Sequence, residues 1–202
     1  TMILIARRFG FSIWLIELFR AVEQALGKRE IIAEDLGYMS ETVRQLVRDS
    51  GFPGMKVLEF AFDSRDTGSA SDYLPHNYTQ NSVVYTGPHD NTATADWELS
   101  APAGDVAFAR RYLDVEGGAD FTRRFIRAAL ASVSDTAVIP MPDWLGLGAE
   151  ARINTPSTLG GNWLWRMEAC DLASIARRIR RLNRSSHRGA IHESSVEELI
   201  QR

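Results

Sequence analysis

The residues that could do chemistry in this chain sit where short apolar runs end. Ile31-Ile-Ala33 leads into Glu34-Asp35 and Lys56–Phe62 into Asp63. Val83–Thr86 leads into the loop Gly87-Pro-His-Asp-Asn91, and Ala137–Pro140 into Asp143. Each run reads as a β-strand, so every strand exit carries a carboxylate. In parallel α/β architectures the reactive groups gather just beyond the C-terminal ends of strands. Asp also favours turns and helix N-caps, and for Asp63 and Asp143 the sequence alone favours that structural role. Glu34 is different, because Glu is a poor turn former and here abuts a wholly apolar run. Partial burial would raise its pKa and keep it protonated near neutrality, as a general acid requires. His89, Asp90 and Asn91 share a tight loop suited to holding the hydroxyls of a polar substrate. Glycosidic or other polyhydroxyl chemistry fits this set. A metal site built from Glu34, His89 and Asp90 competes with it. It ranks below because no His pair has the i, i+4 spacing of a metal-binding helix.

Helices must alternate with those strands to position the groups. Leu18, Phe19, Val22, Ala25 and Leu26 share one helical face, and Gly27 is a natural stop. Ser40 can cap a helix through Asp49, with Val43, Leu46 and Val47 facing inward and Gly51 closing it. Helices are predicted at Val106–Leu113 and Phe121–Val133, and in the tail at Asp171–Asn183. Ser194-Ser-Val-Glu197 has capping-box spacing for a last short one. Strand alternating with helix implies an α/β fold with a parallel sheet. Four strands are too few for a closed eight-stranded barrel, which takes about 250 residues. The expected architecture is a small open sheet or half of a barrel.

Composition narrows the function classes. The chain has 202 residues, 45% hydrophobic and 24% charged, with 15 Gly and 7 Pro. These are the proportions of a soluble globular chain of one domain, or two small ones. A net charge of −3 supplies no overall basic field for nucleic acid. The single Cys170 excludes an internal disulfide framework and a Cys-based zinc site, and fits the reducing cytoplasm expected as the location. Arg7-Arg8 followed by Phe9–Ile16 faintly resembles the basic and apolar parts of an export signal. The apolar run stops at Glu17 with no small-residue cleavage site, and is far too short to span a bilayer. Residues 1–17 therefore read as an irregular or buried segment, and no membrane partner is expected. Trp97, Trp144, Trp163 and Trp165 could stack on sugar faces, although packing is the commoner role for each. Arg177, Arg178, Arg180, Arg181, Arg184 and Arg188 read as a solvated face balanced by Glu193, Glu197 and Glu198. His187 and His192 flank a Gly-containing loop without metal spacing, and Cys170 reads as a small buried hydrophobe.

Six segments, in order, resemble signatures of the 4-alpha-glucanotransferases (amylomaltase, or disproportionating enzyme), glycoside hydrolase family 77. They are Ile31-Ile-Ala-Glu-Asp-Leu-Gly37, then Phe52–Leu58 with Phe60-Ala-Phe62, then Tyr73-Leu-Pro-His-Asn-Tyr78. Val83-Val-Tyr-Thr-Gly87 with His89-Asp-Asn91 follows. Ala151-Arg-Ile-Asn154 with Pro156, and Gly161-Asn-Trp-Leu-Trp-Arg166, complete the set.

This resemblance implies a (β/α)8 TIM barrel of which residues 18–202 form the second half, from the fifth strand onward, with a C-terminal helical tail. Residues 1–17 are an atypical leading segment. It implies transfer of α-1,4-glucan segments between maltooligosaccharides by a retaining double displacement, with no metal or organic cofactor. By motif match Glu34 is the general acid/base, and Asp90 the carboxylate that binds −1 site hydroxyls and stabilises the oxocarbenium-like transition state. His89 matches a neighbouring ligand of that site. Asn154 and Pro156 lie in a stretch lining the cleft, with Phe60 and Asp63 as weaker matches. Pro88, Pro142 and Ser157 stand where the family usually has Thr, Gln and Gly. Pro88 fixes φ and removes a donor while leaving the chemical groups in place.

A retaining mechanism needs two carboxylates about 5–5.5 Å apart. In the family the nucleophilic Asp follows the fourth strand in an Arg-x-Asp-His-type motif, and no such motif occurs in these 202 residues. Little or no transferase activity is therefore expected of this chain by itself, and a missing N-terminal half is an implied partner. The alternative is a non-catalytic remnant that binds α-glucan. Half a barrel exposes two sheet edges and part of its apolar interior.

Overall fold

The computed structural model describes residues 12–36, 40–64, 72–117, 120–169 and 172–188. Strands β1 (Gly54–Val57), β2 (Ser82–Tyr85) and β3 (Thr136–Val138) form one parallel sheet in chain order. Its register pairs Met55 with Val83 and Val84 with Ala137. The central strand β2 is inaccessible on both faces, with Ser82, Val83 and Val84 all buried. That is why Val83-Val-Tyr reads as a continuous apolar run and not as an alternating one.

The helices are α1 (Ser12–Leu26), α2 (Glu41–Ser50), α3 (Thr94–Ser100) and α4 (Ala103–Tyr112). After them come α5 (Phe121–Ala131), α6 (Met141–Leu145) and α7 (Leu172–Ser185). Helix α2 starts and stops as its residues dictate. The Ser40 side chain accepts from the Val43 N–H, and Gly51 at φ 68° donates its N–H to the Arg48 carbonyl. At α5 the Asp120 side chain accepts from the Arg123 N–H at 2.9 Å.

Several expected boundaries move, each for a local reason. Helix α1 begins at Ser12, inside the segment read as irregular or buried, and its Phe19 meets Phe52 edge-on at 5.0 Å. The predicted strand Ile31–Ala33 shrinks to a single parallel bridge between Ala33 and Gly54, and Ile32 stays about half exposed. The predicted strand Lys56–Phe62 ends at Val57 and continues as a 3-10 helix, Leu58–Phe62. Its period of three carries Leu58 and Ala61 into the core together while Phe60 points outward. Helix α3 has no apolar periodicity to announce it. Helix α4 opens directly after Pro102, whose φ of −53° suits a helix entry. The last strand stops at Val138, because Pro140 stands at the entry of α6 and has no N–H for a ladder. The Ser194–Glu197 helix, Gly37, Cys170, His192, Glu193 and Glu198 lie outside the described residues.

The core sits between the sheet and α4–α5. Phe62 is fully buried, with Phe125, Phe108 and Tyr112 around it at ring-centroid distances of 5.5, 5.7 and 5.7 Å. Burying one such ring contributes about 2–3 kcal/mol. Trp97 packs against Phe121 and Phe125, so its role is packing. A second cluster of Ile126, Leu130, Trp144 and Leu182 docks α7.

The basic run is more than a solvated face. The Arg178 guanidinium lies over the Trp144 ring at 5.7 Å and donates to the Trp144 carbonyl. Arg188 donates to the carbonyls of Leu130 (2.6 Å) and Ser132 (2.9 Å), satisfying the end of α5. Among the described residues no helix is long and apolar enough to cross a membrane.

Candidate functional site

The loop that leaves β2, residues 86–93, carries a cluster of polar side chains. It is closed by the Asn91 N–H donating to the Pro88 carbonyl at 3.1 Å, a turn that the missing Pro88 donor leaves intact. Asp90 is half-buried and tethered three ways. Its Oδ1 accepts from Asn154 Nδ2 at 2.5 Å, and its backbone carbonyl from Arg152 Nη2 at 2.9 Å. His89 Nε2 lies 3.2 Å from the same Oδ1. Arg152 Nε also donates to the Asn154 carbonyl at 3.0 Å, so one guanidinium fixes both the carboxylate's loop and its amide partner. Asn154 and Asp90 are 64 positions apart and meet because the chain after α6 folds back over the C-terminal ends of β2 and β3.

An aromatic face lines this cluster. Trp163 packs its ring against His89 at 5.0 Å, yet remains 55% exposed. Its φ of 64° is left-handed, which costs a non-glycine residue about 1–2 kcal/mol. The surrounding segment holds it there. The Trp163 N–H donates to the Ile153 carbonyl at 2.7 Å, and Arg166 Nη1 donates to the Trp163 carbonyl at 2.9 Å. The Thr155 N–H donates to Asn162 Oδ1 at 2.9 Å. Trp165 is half-buried and Pro156 exposed, two positions beyond Asn154.

Two buried carboxyls underpin the loop. Asp143, 2% exposed, accepts from the Thr86 hydroxyl and from the Thr94 N–H at 2.8 Å. It therefore caps α3, a helix 49 positions away, and not its own turn. Burial pushes its pKa up, and those hydrogen bonds oppose the shift. Glu59, 4% exposed, accepts from Asn91 Nδ2 at 2.5 Å. Burial drives its pKa to about 8, with the Asn91 bond opposing, the nearby Asp143 and Asp96 charges adding and Arg152 opposing. Sequence reading passed over Glu59. The signal was there: a charged residue inside Val57-Leu-Glu-Phe-Ala-Phe62, an otherwise apolar run.

Glu34 contradicts one expectation, since its side chain is exposed and not partly buried. Ile31–Ala33 pairs only at Ala33, so no strand interior forms to enclose the following residue. Its direction is nevertheless set by Asp35, which accepts the Met55 N–H at 2.7 Å. The Asp35 carboxylate fills the space over Gly54, where a Cβ would come within 2.5 Å of Oδ2. Glu34 faces the end of β2. Burial first, and the Glu34 charge second, raise the pKa of Tyr85. Phe60 is 39% exposed and meets Tyr73 edge-on at 5.5 Å. Asp63 is half-buried at the exit of the 3-10 helix.

The structure thus joins His89, Asp90 and Asn154 directly, and leaves Glu34, Phe60, Asp63 and Pro156 as separate points around the same end of the sheet. Among the described residues no three His, Cys, Asp or Glu side chains form a metal-binding group. A groove of about 930 Å³ lies elsewhere, lined by Phe19, Ile31, Phe52, Val83 and Thr136, and holds none of the candidate residues. A carboxylate aimed by an amide, beside an open indole face, is chemically suited to sugar hydroxyls above an apolar ring face.

Comparison with known proteins places this geometry in a family. The chain is 45% identical over 150 residues to a chloroplastic/amyloplastic 4-alpha-glucanotransferase of Arabidopsis thaliana, covering 74% of this chain and 26% of that protein. It is 41% identical over 170 residues to a 4-alpha-glucanotransferase of Clostridium butyricum, covering 83% and 34%. An amylomaltase from Streptococcus agalactiae, solved in complex with acarbose, superposes with a TM-score of 0.78 at 37% identity, covering 86% of this chain and 35% of that one. The chain spans about a quarter to a third of the length of these relatives. The three parallel strands and their helices are accordingly part of a (β/α)8 barrel. Residues 12–172 match the family model described as 4-alpha-glucanotransferase, glycoside hydrolase family 77, and the chain belongs to that family.

Proposed function

We propose that this chain supplies the acid/base and transition-state carboxylates of a 4-alpha-glucanotransferase acting on maltooligosaccharides. Glu34 protonates the leaving glycosidic oxygen, then takes the proton from the acceptor hydroxyl. Its side chain is exposed in the chain by itself, and a bound glucan would exclude water from around it. The Asp90 carboxylate, aimed by Asn154 in a loop that Arg152 holds through its backbone carbonyl, is directed toward the sugar that develops positive character. His89 and Trp163 bound the same sugar. The observation that carries this reading is the Asn154–Asp90 hydrogen bond with Arg152 behind it. It fixes a carboxylate whose position matches the family's motif.

A double displacement also needs a nucleophilic carboxylate, and the family's Arg-x-Asp-His motif has no counterpart in these 202 residues. The chain alone should therefore bind a maltooligosaccharide without turning it over. Isothermal titration with maltoheptaose should show binding that Asp90→Ala abolishes, while incubation with maltotriose releases no glucose and forms no longer oligomers. Disproportionation that disappears in Glu34→Gln would show that the chain carries its own nucleophile. Absence of any maltoheptaose binding would overturn the reading.

A further inference from the structure

We propose that Glu59 is a positioning residue for the candidate sugar site, holding the His89–Asp90 loop in place through Asn91. The proposal rests on the functional reading above for what the loop binds, but not for the coupling itself.

The geometry is specific. Glu59 lies in the 3-10 helix that continues β1, and its backbone N–H donates to the Thr86 carbonyl at 3.2 Å, so the two strand exits are tied together. Its carboxyl then reaches under the neighbouring loop. Oε2 accepts from Asn91 Nδ2, and Oε1 packs against Gly87 so closely that a Cβ there would stand 2.7 Å away. Gly87 is thus the residue that admits the carboxyl, and Asn91 the one that grips it. Asn91 follows Asp90 directly. Holding its side chain fixes the last residue of the turn closed on Pro88, and so the direction in which Asp90 meets Asn154.

The second carboxyl oxygen argues for a neutral acid. Oε1 is buried with no hydrogen-bond partner. An ionised oxygen left so would bear the desolvation penalty of a charge with nothing to offset it, whereas a neutral carboxyl tolerates it far better. The groups facing Glu59 pull both ways, and burial outweighs the Asn91 hydrogen bond that favours the ionised form. Asp143 from α6 and Asp96 from α3 disfavour a further negative charge, and Arg152 only partly offsets them. His89 and Asp90 belong to the loop being held. A neutral Glu59 therefore fits the observed position of the loop. Ionisation above neutrality strengthens the Asn91 hydrogen bond but sets the carboxyl against Asp143 and Asp96 and draws it out of its buried place toward water, carrying Asn91 and the loop with it.

Wild-type chain and Glu59→Gln test this by NMR and calorimetry. In wild type, the Glu59 side-chain carboxyl resonance should titrate near pH 8, with the Asp90, Asn91 and Asn154 amide resonances moving at the same midpoint. If only the protonated form holds the loop, maltoheptaose affinity should fall about tenfold between pH 7 and pH 9. Glu59→Gln keeps an acceptor for Asn91 and does not ionise, so its affinity should match wild type at pH 7 and stay level to pH 9. If wild type binds no maltoheptaose at any pH, the functional reading fails while the resonance coupling still decides the positioning role. Asp90 and Asn154 resonances that ignore the Glu59 titration would overturn the proposal, and that measurement needs no variant to fold.

Discussion

The two ends of the candidate cleft are built by opposite means. Around Asp90 the chain invests in buried polar contacts: Asp143 below Thr86 and Thr94, Glu59 below Asn91, and Arg152 with Asn154 alongside. Around Glu34 it invests almost nothing. The bridge at Ala33, the Ala33 N–H on the Pro53 carbonyl, the Asp35 N–H on the Ala33 carbonyl and the Met55 N–H on the Asp35 carboxylate set the backbone, and the Glu34 side chain is left exposed. The difference follows from what each strand exit has for neighbours. The β2 exit is flanked by β1 and β3, so both sides can supply buried partners. The Ala33 exit has β1 on one side, and among the described residues no strand on the other. A carboxylate that stabilises charge needs a fixed direction, whereas one that shuttles a proton gains from the substrate's own desolvation.

Mutations should separate the two ends by size of effect. Asp143→Ala strikes hardest, because it strands the buried Thr86 hydroxyl and the first N–H of α3. Urea unfolding should show a loss of about 3 kcal/mol. A loss below about 1 kcal/mol would mean the loop is not held from beneath and would break the comparison. Next comes the pH dependence at Glu59. The folded chain keeps this carboxyl neutral to about pH 8, while the unfolded chain ionises near its ordinary 4.5. The native state therefore holds the extra proton, and stability falls as pH rises from about 4.5 to 8. Glu59→Gln removes that fall, so the Tm of the variant should gain on wild type steadily between pH 5 and pH 8. Parallel Tm curves would show that Glu59 is already ionised in the fold.

Asn154→Ala is a smaller cut, about 1 kcal/mol, for one hydrogen bond to a half-exposed carboxylate. Its sharper signature is faster amide exchange confined to residues 87–91. The smallest effect belongs to Glu34→Gln, which should leave stability within about 0.5 kcal/mol of wild type. A larger loss by thermal unfolding would show that Glu34 is packed after all, and the contrast between the two ends would vanish.

Much of this was legible in residue pattern, and the failures have a common cause. Ser40 and Gly51 bounded α2 because capping is a local matter of side-chain acceptors and backbone φ. The apolar Val83-Val-Tyr located β2 because a central strand is covered on both faces. His89 and Asp90 stood out as charged groups in a tight loop at a strand exit. Helix α3 was invisible because its cap, Asp143, arrives from 49 positions away. Glu34 would be partly buried only if Ile31–Ala33 formed a full strand, and enclosure depends on neighbours that periodicity cannot report. Glu59 was passed over for the converse reason. Its apolar surroundings in sequence signal a strand, and they equally signal the cost that a buried charge must offset.

The sheet register also sets an order of events. Joining β1 to β2 closes a loop of 28 residues, from Gly54 to Ser82, whereas joining β2 to β3 closes one of 53, from Val83 to Thr136. The longer closure costs only about 0.6 kcal/mol more in chain entropy. It must nevertheless gather α3, α4 and α5 before Phe62 finds Phe125 and before Asp143 can reach Thr86. The β1–β2 pair should thus assemble early, with the loop carrying Asp90 held from the Glu59 side alone, and acquire its final shape only when α6 and the chain beyond it arrive. In a growing or refolding chain, competence to recognise a ligand at Asp90 would be among the last properties to appear.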